Sequence, residues 1–363
     1  MVNSKEIFGR RLKLARQKEK LSMEELSNKT GGAVSKQTIS KYESGKAMAG
    51  SDILEKLANA LKVPMDYFFR PFYFDISKIN ISFRKKSSIK AKDESSLVSK
   101  IQDKVEHFLE IEKILSIDNT YNKTDIFPVI SSPAQMKELA KTIRTQWGLD
   151  KAPIENAKEL LIQHGIKVFE VDGTEGFDGV SGAANEAIWV IVLNKNITHV
   201  ERKRLTAFHE YAHLLANQAF DASLSQNEKE KLCNVFASEM LLPSQVLVDI
   251  FGSKSKISFQ ELTSVQCSYG ISIDAIMYSL KSLSIISDKR HRYYCIQKNK
   301  NPKFKLEVEK SRFKEKENSS LSESTTYTNM VYSALAQELI TPSRAAEFLN
   351  TSVTDIQSQL FAF

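Results

Sequence analysis

Apolar positions in the first 70 residues recur at helical spacing in short bursts. Ile7, Leu12, Leu14 and Ala15 make one stripe, which fades at Lys18-Glu19-Lys20. Ser22 precedes Met23-Glu24-Glu25-Leu26 as a helix N-cap would. Gly31-Gly32 interrupt the chain, Ser35 caps a third segment running from Lys36 to about Tyr42, and Gly45 closes it. Ser51 opens a fourth stripe of Ile53, Leu54, Leu57, Ala58 and Leu61. Pro64 begins a fifth that ends at Phe68-Phe69. The pattern predicts five short helices packed into one small unit.

The period then changes. Phe72-Tyr73-Phe74 and Ile79, Ile81 and Phe83 alternate as a short strand does. From Asp93 to about Ile117 the period is helical again, with Leu97, Ile101, Val105, Phe108, Leu109 and Leu115 apolar. Such a helix between two folded units serves either as a dimer seam or as a strut on the next domain, and the pattern leaves both open. His107 within it reads as structural.

A second compact region begins at Ser132-Pro133 with a helix through Ala140, Ile143 and Trp147. Pro153 opens another through Leu160-Leu161, ended by His164-Gly165. Ile166 to Val171 predicts a strand, and Val180–Ala183 with Ala187–Leu193 a pair of strands. Residues 179–193 would then offer a sheet edge to an extended peptide. Leu205, Phe208, Ala212, Leu215 and Ala219 step along one helix face, with Thr198 and Glu201 as its expected capping box. Ser225 and Glu228 form a second box ahead of a helix that reaches Met240 and stops before Pro243. Two helices follow between Leu262 and Leu283. Tyr293-Tyr294-Cys295-Ile296 predicts a strand, residues 298–326 a hairpin, and Val331–Leu339, Pro342–Leu349 and Val353–Leu360 three short helices.

The chemistry concentrates in His209-Glu210-Tyr211-Ala212-His213. Two histidines four apart share a helix face, one turn apart. Two imidazoles so placed bind one zinc ion and leave room for a third ligand and a water. Glu210 is then the carboxylate beside the pair, in position to act as a general base. Glu230 opens the following helix, 17 positions after His213, and reads as the third ligand. Glu239 is the competing carboxylate, about 180° around an ideal helix from Glu230.

This motif, followed by Glu230-Lys-Leu-Cys233-Asn234-Val-Phe-Ala and Met240-Leu-Leu-Pro243, resembles the ImmA/IrrE family of metallopeptidases over roughly Ser132 to Ser287. The resemblance implies a zincin-like α+β domain, a zinc ion on His209, His213 and Glu230, and limited cleavage of a regulatory protein, often a helix-turn-helix repressor.

The N-terminal unit resembles the XRE/Cro-type helix-turn-helix family. Arg11-Leu12-x-x-Ala15-Arg16, Leu21-Ser22-x-Glu24-x-Leu26, Ser35-x-x-Thr38-Ile39-Ser40-x-Tyr42-Glu43-x-Gly45-Lys46 and Leu54-x-x-Leu57-Ala58-x-Ala60-Leu61 carry the match. Thr30–Val34, before the third helix, is longer than usual. The resemblance puts the start of the third helix into the major groove of double-stranded DNA, as a homodimer on a two-fold site. Lys36, Gln37, Thr38, Ser40 and Lys41 would face bases or phosphates, with Lys46 and Arg11 on the backbone.

Charge agrees with a polyanion partner. The chain carries a net +7. Residues 1–70 hold 14 Lys+Arg against 8 Asp+Glu, 14 − 8 = +6, nearly all of that excess. No apolar run spans a membrane, and Met-Val-Asn-Ser-Lys-Glu is no signal segment, so a cytoplasmic protein is expected. Three scattered cysteines fit a reduced compartment.

The expected fold is therefore mainly α with α+β. A helix-turn-helix domain would span 1–70, a linker 71–130, a zinc peptidase domain 131–290 and a helical module 291–363. The expected function is a DNA-binding regulator with a zinc-dependent endopeptidase. The alternative is a non-enzymatic regulator, of antitoxin or phage type, with structural or sensory zinc.

Overall fold

The computed structural model describes residues 3–72, 91–118, 129–172, 178–184, 188–254, 256–313 and 324–360. The strand expected within 72–83 falls almost wholly outside them. No helix among the described residues is long and apolar enough to cross a membrane.

The first unit contains α1 (Ser4–Lys18), α2 (Met23–Lys29), α3 (Lys36–Glu43), α4 (Ser51–Leu61) and a 3-10 turn, Met65–Phe69. The caps read from sequence are in place. Ser22 and Glu25 form a reciprocal box, and Ser35 Oγ accepts from Thr38 N at 3.2 Å. Phe8, Leu12, Leu26, Ile39, Leu57 and Phe68 are fully buried in a core of their own.

The main body is built on a three-stranded sheet of β1 (Ile166–Val171), β2 (Gly179–Ala184) and β3 (Ile188–Asn194), in the order β1-β3-β2. β1 runs parallel to β3, with Ile166 opposite Trp189. β2 runs antiparallel to it, with Val180 opposite Val192. Of the segment expected to offer an edge, only β2 does so among the described residues; β3 is central.

Around the sheet stand α6 (Pro133–Gln146), α7 (Ala157–Gln163), α8 (Val200–Ala216) and α9 (Gln226–Leu241). These are followed by α10 (Ser244–Phe251), α11 (Phe259–Tyr269) and α12 (Ile273–Ser282). α10 was not expected. α7 starts later than Pro153 suggested, because Asn156 supplies the cap, its side chain accepting from Glu159 N at 3.1 Å. Thr198 does not cap α8; His199 stands at that position without a side-chain cap bond. Glu201 turns inward instead and accepts from Phe313 N at 2.8 Å and Gln266 Nε2 at 3.2 Å.

The largest correction lies beyond Lys289. The strand expected at Tyr293–Ile296 and the hairpin expected over 298–326 are instead α13 (Asp288–Lys300) and α14 (Pro302–Lys310), with 314–323 outside the described residues. Ser287 caps α13 by accepting from Arg290 N at 3.3 Å. Tyr294 turns inward and donates to Asp274 at 2.9 Å while Tyr293 stays exposed, a one-sided burial that suits a helix. α15 (Thr325–Ala336), α16 (Pro342–Leu349) and α17 (Val353–Leu360) finish the chain.

The long helix, α5 (Ala91–Ile114), is a strut with two buried faces. Leu97, Ile101, Val105, Phe108 and Ile111 join the main core, so that stripe is not free to serve as a dimer seam. The other face is polar and receives α1. Ser96 Oγ donates to the Lys18 carbonyl at 3.1 Å, and Lys18 pairs with Asp103. Arg11 Nη2 meets Glu106 at 2.9 Å, with both side chains at most 5% exposed. Arg11 also donates to the carbonyls of Arg70 (3.1 Å) and Pro71 (2.6 Å) and lies 4.0 Å from the Phe72 ring centroid. It therefore ties the N-terminal unit to the body and is not available to a DNA phosphate, contrary to the expectation from sequence. His107 packs its ring edge-on against Phe348, in the structural role expected.

Breaking a buried ion pair leaves one charge uncompensated, at a cost of about 3–5 kcal/mol. Arg11→Met takes the guanidinium away from Glu106. A fall of about 3 kcal/mol in unfolding free energy by urea titration is expected; no measurable change would mean that the seam is wet and loose.

Candidate metal centre and nucleic-acid interface

α8 and α9 cross with Phe208, Tyr211, Ala212, Phe236, Ala237 and Met240 buried around the contact. Tyr211 and Phe236 meet edge to face at 5.8 Å. This apolar crossing fixes how the first turns of α9 face the histidines of α8. Ser225 and Glu228 set that start with the reciprocal box expected from sequence, and the same hydrogen bonds hold the Glu228 carboxyl below the usual range.

At the crossing His209, His213 and Glu230 converge, each offering a ligand atom, all within 4.8 Å of one another. The two Nε2 atoms are 3.1 Å apart, and Glu230 Oε2 lies 3.1 Å from one and 3.8 Å from the other. Three ligands about 2.0–2.1 Å from a tetrahedral zinc would be about 3.3 Å apart. The observed spacings bracket that value.

Proton positions point the same way. His209 Nδ1 lies 2.8 Å from Asn234 Oδ1, an acceptor, and a ring donating to it from Nδ1 can present a lone pair at Nε2. His213 Nδ1 faces Cys233 Sγ at 3.2 Å. Gln226 Nε2 donates to the far oxygen of Glu230 at 2.8 Å, leaving Oε2 toward the imidazoles. Lone pairs and a carboxylate oxygen aimed at one point repel unless a proton or a metal cation sits between them, and three such donors can share a metal. These residues suit a divalent metal.

Glu239, the rival ligand, is engaged elsewhere. It accepts from Ser244 N at 2.7 Å and from Ser244 Oγ at 2.5 Å, holding the start of α10. Glu210 is only 7% exposed, and one carboxylate oxygen accepts from Ser181 Oγ on β2 at 2.7 Å. The sheet edge comes this close because position 179 is glycine. A Cβ there would stand 2.6 Å from Thr206 Cγ2 and 3.2 Å from Glu210 Cγ.

Sequence reasoning assigned no role to Ser181, Cys233 or Gln226. Cys233 and Asn234 had a signal in their adjacency, since successive positions on α9 reach successive imidazoles of α8. Ser181 had none.

In the N-terminal unit, Lys36, Gln37, Ser40, Lys41 and Lys46 are exposed and Thr38 is half-buried. Ile39 and Tyr42 anchor the opposite face of α3. Arg16 grips Glu43 with two bonds, 2.5 and 2.8 Å, at the end of that helix. α1 passes so close that a Cβ on Gly9 would lie 2.3 Å from the Tyr42 carbonyl oxygen. α3 is thus held rigidly from behind, with its polar face outward.

Two family models match the chain. A helix-turn-helix family model matches residues 12–68. The family model for the IrrE N-terminal-like domain matches residues 162–281, which include the convergent triad. No curated protein matches the chain. The chain joins an XRE-type helix-turn-helix domain to an IrrE/ImmA-like domain of the metallopeptidase type.

Proposed function

We propose that the chain is a transcription regulator that binds double-stranded DNA through α3, and that its second domain is a zinc-dependent endopeptidase acting on a regulatory protein, a helix-turn-helix repressor being the class favoured. The observation that carries this is the meeting of His209, His213 and Glu230 at one point, with Glu210 next to His209 along α8. A purely structural site has no use for Glu210. We divide the chain into a DNA-reading unit (1–70), a connection (71–130), the peptidase domain (131–290) and a helical module (291–363), working in the cytoplasm as a homodimer on a two-fold operator.

His209, His213 and Glu230 would hold the metal, with Asn234 and Cys233 orienting the imidazoles and Gln226 the carboxylate. Bound there, zinc would supply Lewis-acid polarisation and lower the pKa of a water from about 15.7 to about 7. Glu210 takes the proton of the attacking water and passes it to the leaving amine. Ser181 keeps the Glu210 carboxylate in one orientation while it does so. The outer edge of β2, next to Glu210, would pair with an extended substrate segment.

Glu210→Gln should lower cleavage of a purified repressor substrate by about 10²–10⁴-fold while zinc content stays roughly stoichiometric. Equal cleavage by both forms would remove Glu210 as the base. Absence of cleavage of every repressor by the zinc-loaded wild type would favour the non-enzymatic alternative.

Metal analysis separates the two carboxylates. Glu230→Ala should purify without zinc, whereas Glu239→Ala should keep it and lose only the capping of α10. Asn234→Ala and Cys233→Ala should each weaken zinc binding by about 10–100-fold, as removal of supporting groups does.

For DNA, Gln37→Ala should cost about 1–3 kcal/mol and relax preference at one base pair. Lys46→Ala should weaken all sequences alike and reduce the salt slope by about 1. Fluorescence anisotropy at several salt concentrations checks both.

A further inference from the structure

A cleft of about 820 Å³ lies where the DNA-reading unit meets the body. That volume is within the range of small-molecule sites. Four segments remote in sequence line it: 62–70 at the end of the first unit, the α5 face around Lys100 and His107, the end of β1 with Lys195, and α16 with its flanks.

Most of its charged groups are already matched. Asp66 accepts from Arg70, Asp103 pairs with Lys18, and Glu347 with Arg70 and Arg344. Glu170 receives Lys203 at 2.7 Å. Among the lining carboxylates that leaves Asp172, which is exposed. Against it stand Lys100 and Lys195, neither in an ion pair among the described residues. Lys62 adds a third positive charge, its only ion pair among the described residues a long contact of 3.9 Å to Glu19. Thr341 and Ser343 bring hydroxyls and the N-terminal turn of α16 to the same wall. The wall therefore combines surplus ammonium groups with hydroxyls, a set suited to phosphate oxygens.

We propose that this cleft binds a small phosphorylated molecule carrying two or more negative charges, and that binding couples DNA reading to the peptidase body. The coupling follows from where the walls come from. A ligand touching Lys62, Lys100, Lys195 and α16 together is satisfied only when the first unit is docked. The docked arrangement rests in part on partly exposed ion pairs such as Lys18–Asp103 and Arg70–Glu347, which are individually weak. A ligand that prefers one arrangement shifts the population toward it by its differential affinity. The proposal is independent of the zinc site.

Isothermal titration of the full chain at low salt tests it, with sodium pyrophosphate and ATP as probes. Saturable binding of at least one probe, with Kd below about 1 mM, is expected. Lys100→Glu/Lys195→Glu should weaken it by at least about ten-fold, while Lys36→Glu/Lys41→Glu, the same charge change on α3, should leave it within about two-fold. Lys195→Ala, at an exposed position that does not threaten folding, should weaken binding in the same direction with smaller amplitude. No saturable binding of either probe overturns the proposal. So does binding that survives the cleft substitutions, or that falls equally in both double variants.

Discussion

The contact of α8 with α9 is the interaction on which the metal centre depends. Neither helix holds a complete ligand set. α8 supplies two imidazoles, and α9 supplies a carboxylate together with the groups that engage both Nδ1 atoms. The convergence is stable because the rest of the crossing is apolar and closely packed. Phe208, Tyr211 and Phe236 are fully buried, so the helices cannot slide without opening voids. The apolar stripe sets the distance, and the polar residues at its margin inherit it. The sheet contributes in the same way, since the bare backbone at Gly179 lets β2 come close enough for Ser181 to bond Glu210.

α5 extends this logic to the whole chain. Its apolar stripe, Leu97, Ile101, Val105, Phe108 and Ile111, lies in the main core. A second stripe, Ser96, Ser99, Asp103 and Glu106, recurs at the same three- and four-residue steps and meets α1. One helix thus makes two unlike interfaces. The inner one is driven by burial of apolar surface. The outer one is built of ion pairs and hydrogen bonds, several of them buried like Arg11–Glu106, and the cost of desolvating the charges offsets much of their attraction. The asymmetry makes the junction with the DNA-reading unit the softer of the two.

How much of this was legible in the sequence depended on whether a residue's role was local. The helices of the first unit could be read because their caps lie within three residues of their partners. The His209–His213 pair could be read because chemistry demands two residue types at one spacing. β1 and β3 could be read as short, mostly apolar runs, Ile166–Val171 and Ile188–Leu193, set between glycines and polar residues. Tyr293–Ile296 has the aromatic composition of a strand, yet the cap at Ser287 starts a helix there and only Tyr294 turns inward. Glu201 was misread as half of a capping box, although its partners come from α11 and from Phe313, 65 and 112 positions away. The burial of Arg11 was hidden for the same reason, since Glu106 stands 95 positions on. Ser181 lies 29 positions before Glu210 with no fixed spacing to it.

The charge of the first unit acquires a different meaning once these partners are known. From sequence, an excess of +6 over residues 1–70 looked like one footprint for DNA. The structure divides it. Arg16 is spent on Glu43 within the unit, while Arg11, Lys18 and Lys20 are spent on Glu106, Asp103 and Asp93 of α5. Those cations face the body and contribute to a phosphate backbone only at long range, where salt screens them. Lys36, Lys41 and Lys46 remain outward. Lys36 has Glu24 at 3.4 Å, with both side chains more than half exposed, a contact that a phosphate can displace. The basic residues therefore serve two partners on opposite sides of the unit, and the acidic stripe of α5 decides which cations are left for nucleic acid. Any process that undocks the unit from α5 would release Lys18 and Lys20 as well. It would raise non-specific attraction to DNA while removing the support that holds α3 at a fixed angle to the rest of the chain.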